Sequence, residues 1–482
     1  MSLSKPEVSS LAVDELPSFG EQFVCSTSET LVAAIEKCLD NGLGTCLVVE
    51  NKHRLVGSIS LDDIGRAVLD GALLNPTLGP HMAALALRGH NHSAARDNLL
   101  RPVLAPDGTL VGVSIDRSTQ LVQVARPDMT HNEFRTLLDA FISSWISSKG
   151  PYVDKFESDF CKFIGTDHGV AVSNGTVALH LALVALGVGP GDEVIVPDLT
   201  FAATINAVIY CGATPVIVDV DRETWSMSLD LVRQACTSRT KAIIPVHLYG
   251  RPAEIGPIAT FAGARGIAVI EDCAEAHGAQ YDGRPVGQFG DVGCFSFYAN
   301  KIVTTGEGGM CVANSAETAR SLRLLRDHGI TPNRSYWHER VGFNYRITNL
   351  QAAIGHSQLW RIQDTLERNR RVEALYRDAL KSIPEVSFPP QMPAEYQPVV
   401  WLVCVQVPAE KRAALMAAAF EARIEMRPFF HSLSALPPYD KYASACPNSA
   451  ELSATGVNLP TSRSVDEQVV ARVARVFRQV LG

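Results

Sequence analysis

"CFSFYANKIVTTGEGGMCVA", Cys294 to Ala313, sets two apolar, β-rich runs on either side of a turn that carries one lysine, Lys301, and the glycine-rich GEGG of Gly306 to Gly309. A lysine on a turn is ordinarily a solvated surface charge. Here it lies five residues after Ser296 and just before glycines that permit a close backbone approach. A lysine held in a partly desolvated site can lose its proton and attack a carbonyl carbon. The rest of the chain decides between the two readings.

Outward from this stretch, the runs EVIVP, TPVIVDV, AIIPVH and IAVIED recur between Glu193 and Asp272, mostly separated by helix-compatible segments such as TVALHLALVALG and EIGPIATFAGARG. Continuous apolar strands with crossover helices between them predict a mostly parallel sheet buried on both faces. Ligands of such sheets gather beyond the carboxyl ends of the strands. The polar clusters of this chain fall there.

After IAVIED, Glu271 and Asp272 stand with no neighbouring Lys or Arg, so a carboxylate at the core edge needs a positive or hydrogen-bonding partner. A protonated pyridine nitrogen would serve, although an acidic helix start explains the pair equally well when taken alone. VAVSNGTVALHLAL runs from a strand through Ser173, Asn174, Gly175 and Thr176 into an apolar helix, aiming free N–H groups and the helix dipole at one spot. VPDLTFAAT ends a strand with Asp198, Thr200 and Phe201, whose ring could stack on a planar group. Lysine, acid, phosphate cup and ring are together the parts that a phosphorylated pyridine aldehyde needs. Pyridoxal phosphate is that cofactor.

These residues carry a resemblance. From about Asp128 to the C-terminus the chain resembles the DegT/DnrJ/EryC1/StrS family of sugar aminotransferases, through SNGTVALHLAL, GPGDEVIVPDLTFAAT, IEDCAEAHGA, GDVGCFSFYANKIVTTGEGGM and GFNYRITNLQAAIG. The resemblance implies an α/β fold, the fold-type-I aminotransferase architecture, with a large cofactor-binding domain over residues 128–360 and a small C-terminal α+β domain over 361–482. It makes Lys301 the residue that holds the cofactor and shuttles the proton, and pairs Asp272 with the pyridine nitrogen. Phe201 takes the stacking position, and Gly175, Thr176 and Ser296 hold the phosphate. Asn344 matches a residue that reaches the phosphate from the neighbouring subunit, which implies a homodimer with shared active sites. Glu275 falls where many members have Gln near the cofactor's ring oxygen, a departure shared with the perosamine-forming members.

The implied reaction moves an amino group from L-glutamate to a nucleotide-linked keto sugar. RSYWHERVGFNYRITNLQAAIGHSQL and EMRPFFHSLSALPPY are similar to the members that aminate C4 of GDP-4-keto-6-deoxymannose, with Arg427 and His431 as substrate-binding candidates. UDP- or dTDP-linked keto sugars are the alternative acceptors. A nucleotide-sensing regulator on a retained scaffold is the alternative from another class, and the intact lysine and acid weigh against it. O-antigen or other polysaccharide synthesis is the implied pathway.

Upstream, beyond a tail of residues 1–21, LVAAIEKCLD, TCLVVE, LVGSISL and DDIGRAVLDG predict helix, two strands and helix, and GTLVGVSI partly echoes HRLVGSIS. Residues 22–127 resemble a pair of CBS domains, a family whose Ser/Thr-x-x-Asp motif contacts adenine nucleotides. Ser60 and Asp63 fit that motif, whereas the second copy has Ile115 and Ser118. The HNH of His90 to His92 lies in a Gly/Asn/Ser-rich connector and reads as a solvated loop.

With 482 residues, 46% hydrophobic and 20% charged, the chain is long enough for several packed domains and is not composed like a disordered one. A net charge of −8 without a Lys/Arg cluster argues against nucleic-acid binding. Eleven cysteines, an odd number with no C-x-x-C, point to reduced thiols in a cytoplasmic protein, with no metal site. The N-terminus lacks an apolar signal-like stretch, and no apolar run is long enough to span a bilayer.

Overall fold

The computed structural model describes residues 21–51, 54–69, 100–106, 110–115, 121–331 and 334–482. The chain forms two compact units, one of residues 1–121 and 128–135, the other of residues 122–127 and 136–482.

The larger unit is built on a seven-stranded sheet. Its strands are β1 (His168–Val172), β2 (Glu193–Pro197), β3 (Thr214–Val218), β4 (Thr240–Ile243), β5 (Ala268–Asp272), β6 (Val292–Ser296) and β7 (Gly309–Ala313). They lie in the order β1-β7-β6-β5-β4-β2-β3. Only β7 runs against its neighbours, so the sheet is mostly parallel, as the apolar runs predict. Every residue of β2, β6 and β7 is buried, because helices cover both faces. Alternation sorts the side chains. Phe295 and Met310 enter one core with Phe156 and Phe160, while Cys294 and Cys311 enter the other with Leu181 and Leu183. Each buried ring of that size stabilises the unit by roughly 1.5–3 kcal/mol.

Helix α1 (Gly175–Ala185) follows β1 directly. Asn174 starts it by accepting from Val177 N at 3.0 Å, and the Ala- and Leu-rich run that follows is buried from Ala178 to Leu183. Farther along, β8 (Val403–Gln406), β9 (Arg427–Pro428) and β10 (Gly456–Leu459) form an antiparallel sheet in the order β8-β10-β9. The helices Ile362–Leu380, Ala409–Glu421 and Glu467–Leu481 share its core through Tyr376, Leu415 and Phe477.

In the smaller unit the strands Val24–Ser26, Thr45–Glu50 and Arg54–Ser60 form a sheet, the first pair parallel and the second antiparallel. With the helices Leu31–Asp40 and Leu61–Leu69 the order is strand, helix, strand, strand, helix, the helix, strand, strand, helix run read from the sequence preceded by the strand Val24–Ser26. Leu100–Leu104 pairs antiparallel with Leu110–Ile115. Ser118 and the His90 to His92 stretch lie outside the described residues, as does the side chain of Ile115.

Candidate active site

Strand β6 ends at Ser296, and the chain turns so that Lys301 N bonds Tyr298 O at 2.9 Å. The Lys301 side chain is only 11% exposed, which removes the surface-lysine reading. Its Nζ lies 3.4 Å from Glu275 Oε1 and 3.9 Å from the centroid of the Trp401 ring. Trp401 Nε1 donates to Asn300 O at 2.7 Å, tying the indole to the residue just before the lysine.

Glu275 accepts a second bond, from Tyr249 N at 2.9 Å. Tyr249 has φ 52° and ψ 27°, a left-handed conformation that costs a non-glycine residue roughly 1–2 kcal/mol. The strained backbone directs the amide at the carboxylate. The buried Tyr249 ring stacks between Phe430 and Trp401, with centroids 5.3 and 6.0 Å away, and its hydroxyl accepts from Phe430 N at 3.0 Å. Burial pushes the Glu275 carboxyl up, and the lysine opposes that shift.

Asp272 ends β5. Its Oδ2 accepts from the Thr204 hydroxyl at 2.8 Å and its Oδ1 from Ala274 N at 3.2 Å, and Thr200 lies 3.1 Å behind Thr204. Burial raises the Asp272 carboxyl, with these donors and the more distant lysine working against it. Among the described residues no cation pairs with it directly. A positive group placed there would be stabilised.

Glu271, its neighbour, turns the other way. Its carboxylate accepts from Gly287 N, Phe289 N and Gly290 N at 2.7 to 2.8 Å, and lies 3.1 Å from His247 Nε2. His247 Nδ1 accepts from Ala253 N, so Nε2 carries the proton and donates to Glu271. Cys273 lies close enough to complete a metal-like cluster. The imidazole nitrogens and carboxylate oxygens are already spent on protein bonds, so this cluster holds structure together.

At the N-terminus of α1, Val177 N is taken by the Asn174 cap, while the Gly175 and Thr176 amides are beyond the reach of any helical carbonyl. A Cβ at position 175 would meet that of Ser296 at 2.8 Å, so glycine is what lets β6 and the helix start close into one cup. Phe201 is 58% exposed and its ring centroid lies 5.7 Å from that of Phe430. An unspent pair of amides beside a buried serine, a buried carboxylate with no paired cation among the described residues, a desolvated lysine and an exposed aromatic ring fit pyridoxal phosphate.

Other residues named from the sequence sit differently. Asn344 is exposed, and its Oδ1 accepts from Arg346 Nε at 3.0 Å. The Arg427 guanidinium is engaged by Glu425 at 2.8 and 3.0 Å, and His431 is exposed next to Phe430. In the smaller unit Ser60 Oγ donates to Asp63 Oδ2 at 2.6 Å, Ser60 N donates to the same oxygen at 3.0 Å, and Asp63 N donates back to Ser60 Oγ at 3.2 Å. They cap the helix Leu61–Leu69. Sequence reasoning missed Thr204, Tyr249 and Trp401. Thr204 was within reach as the residue four after Thr200, whereas Tyr249 and Trp401 lie 52 and 100 positions from Lys301 and carry no local signal.

Residues 127–478 match the profile of the DegT/DnrJ/EryC1/StrS aminotransferase family. GDP-perosamine synthase of Caulobacter vibrioides is 43% identical over 364 residues, covering 75% of this chain and 98% of that protein. UDP-N-acetyl-3-dehydro-alpha-D-glucosamine 3-aminotransferase of Acidithiobacillus ferrooxidans is 39% identical over 335 residues, 67% of this chain and 87% of that protein. Among solved structures, Spr1654 of Streptococcus pneumoniae in its PLP form superposes with a TM-score of 0.70 at 27% identity, over 74% of this chain and 97% of that one.

Proposed function

The chain belongs to the DegT/DnrJ/EryC1/StrS family of pyridoxal-phosphate-dependent aminotransferases, and from that premise we propose that it moves the amino group of L-glutamate to C4 of GDP-4-keto-6-deoxymannose, giving GDP-perosamine. The observation that carries the chemistry is Lys301, desolvated between the Glu275 carboxylate and the Trp401 face. The GDP-linked acceptor rests on the likeness to the Caulobacter relative.

When bound, pyridoxal phosphate supplies an aldehyde that takes up the amino group and a ring that withdraws electrons from the reacting carbon. In our reading Lys301 Nζ holds the cofactor and then carries the proton at the substrate carbon. Asp272 keeps the ring nitrogen protonated, and Thr204 and the Ala274 amide fix its carboxylate for that task. Gly175, Thr176 and Ser296 hold the phosphate, Phe201 covers the ring, and Glu275 meets the ring oxygen. Tyr249, Trp401 and Phe430 screen the lysine from water. Arg427 and His431 belong to the substrate side.

We infer a homodimer in which Asn344 serves the neighbouring subunit's phosphate. Exposed Phe141, Ile142, Trp145 and Ile146, large apolar side chains within one short stretch of chain, support it, since an exposed apolar patch marks an interface. Eleven free cysteines support a cytoplasmic setting, and no helix among the described residues is long and apolar enough to cross a membrane. For the N-terminal unit the CBS-like motif supports an adenine nucleotide at Ser60 and Asp63. Calorimetry with AMP, ADP and ATP tests it, and absence of heat would leave the pair as a helix cap.

The 39% identity to the Acidithiobacillus relative favours a second reading, a UDP-linked keto sugar as acceptor. Turnover of GDP-, UDP- and dTDP-linked keto sugars side by side separates the two. Equal or better turnover of a UDP substrate would sink the GDP reading.

A further inference from the structure

Asp198 is fully buried directly after β2 and forms no ion pair among the described residues. Three consecutive residues far along the chain donate to it. Ser432 Oγ bonds its Oδ2 at short range, Ser434 N bonds its Oδ1 at 2.7 Å, and Leu433 N bonds its carbonyl at 2.9 Å. A buried carboxylate held only by neutral donors is expensive. Charge-assisted bonds to hydroxyl and amide are also the strong ones, so what they hold stays held.

What they hold is the segment that begins with Phe430 and His431. At its other end Phe430 N donates to the Tyr249 hydroxyl, Tyr249 N donates to Glu275, and Glu275 faces Lys301 Nζ at 3.4 Å. Asp198 is also three residues before Phe201, whose exposed ring stands 5.7 Å from that of Phe430. Asp198 thus ties the loop that leads to Phe201 to the segment that carries Phe430.

We propose that Asp198 is the positioning residue of the acceptor side, seating Phe430 to Ser434 against the Phe201 loop so that the nucleotide sugar is held there. The proposal rests on the aminotransferase reading. A nucleotide-linked sugar is far larger than L-glutamate and reaches farther from the buried Lys301, so the acceptor feels the segment's position more than the donor does.

The test compares full-length wild type, Asp198→Ala, Asp198→Asn and Ser432→Ala. Hydrogen exchange on each protein, with and without pyridoxal phosphate, should show the Ser434 amide, whose acceptor is the Asp198 carboxylate, losing protection in Asp198→Ala while those of β5 and β6 keep theirs. In steady state its KM for the keto sugar should rise by roughly 10²-fold, the scale of a misplaced positioning element. The rate at which L-glutamate bleaches the visible cofactor band should stay near wild type. Asp198→Asn, which keeps one acceptor oxygen, should recover part of the sugar KM, and Ser432→Ala should fall between it and wild type. Unchanged protection of Ser434, or a parallel loss of the sugar and glutamate reactions, would overturn the proposal. Should Asp198→Ala fail to fold, Ser432→Ala decides by the same two readouts. A wild type that does not react with L-glutamate would overturn the aminotransferase reading instead, and the exchange data would still decide whether Asp198 seats the segment.

Discussion

Ser60 with Asp63 in the smaller unit and Asp272 with Lys301 in the larger are both polar pairs that follow a strand, yet their bonds go to different places. Ser60 and Asp63 satisfy each other through three hydrogen bonds across one helix turn. Among the described residues Asp272 sits buried on two neutral donors with no cation paired to it, and Lys301 is desolvated beside the Glu275 carboxylate and an indole face. Glu271 and His247 give the same contrast one residue from Asp272, since their polar atoms are spent on protein bonds. Bonding capacity left over in a buried place marks chemistry, and capacity closed on itself marks structure.

Breaking the open pair should therefore cost function and little stability. Lys301→Ala should abolish both half-reactions, and the visible band of cofactor-loaded protein should not form. A variant that keeps its band and its sugar amination would remove the lysine from the centre of the account. Asp272→Asn keeps the Thr204 bond in reach but cannot bear a charge against a ring nitrogen, so kcat should fall by on the order of 10² or more. Loss of melting temperature without loss of kcat would reassign Asp272 to the structural class.

His277 sharpens the comparison from the side of pH. Its ring lies among Phe160, Phe295 and Phe297, and burial pushes its pKa from 6.5 to about 3. The unfolded chain takes a proton near 6.5 that the folded one refuses. The stability this group confers is therefore complete above that pH and drains as pH falls toward 3. Denaturant titrations at several pH values should show His277→Phe with a flatter acid slope than wild type, and equal slopes would mean that the ring is hydrated.

Two smaller effects test the closed and the open sides. Glu275→Gln keeps an acceptor for Tyr249 N and removes the charge facing Lys301. Activity should persist with an altered pH–rate profile, and a profile identical to wild type would deny the carboxylate any part in the proton traffic. Ser60→Ala should cost about 1 kcal/mol in the smaller unit through the lost cap, with kcat unchanged at saturating substrates. A change in kcat would make the pair more than a cap.

The chain order of strands, the lysine turn, the acid after β5 and the cup at the start of α1 were all legible in sequence, because each is a local consequence of strand ends, caps and glycines. The choice of Asp272 over Glu271 came from the family resemblance and not from local chemistry, since strand alternation sends neighbours to opposite faces and only the sheet's surroundings say which face is which. The Arg427 guanidinium read as a substrate contact, and its partner Glu425 is two residues away in the same strand region. Trp401 and Tyr249 reach Lys301 only through packing between distant segments.

By itself the sequence determined the mostly parallel sheet and the cofactor chemistry and singled out Lys301 as the residue proposed to carry it, since short-range backbone geometry and side-chain chemistry suffice for those. Tertiary structure alone decided which polar groups remain unspent, because burial and hydrogen-bond partners are set by residues far apart in the chain. Asp198 shows the limit most clearly. Its identity is readable at position 198, but its partners, residues 432 to 434, become neighbours only when the chain folds.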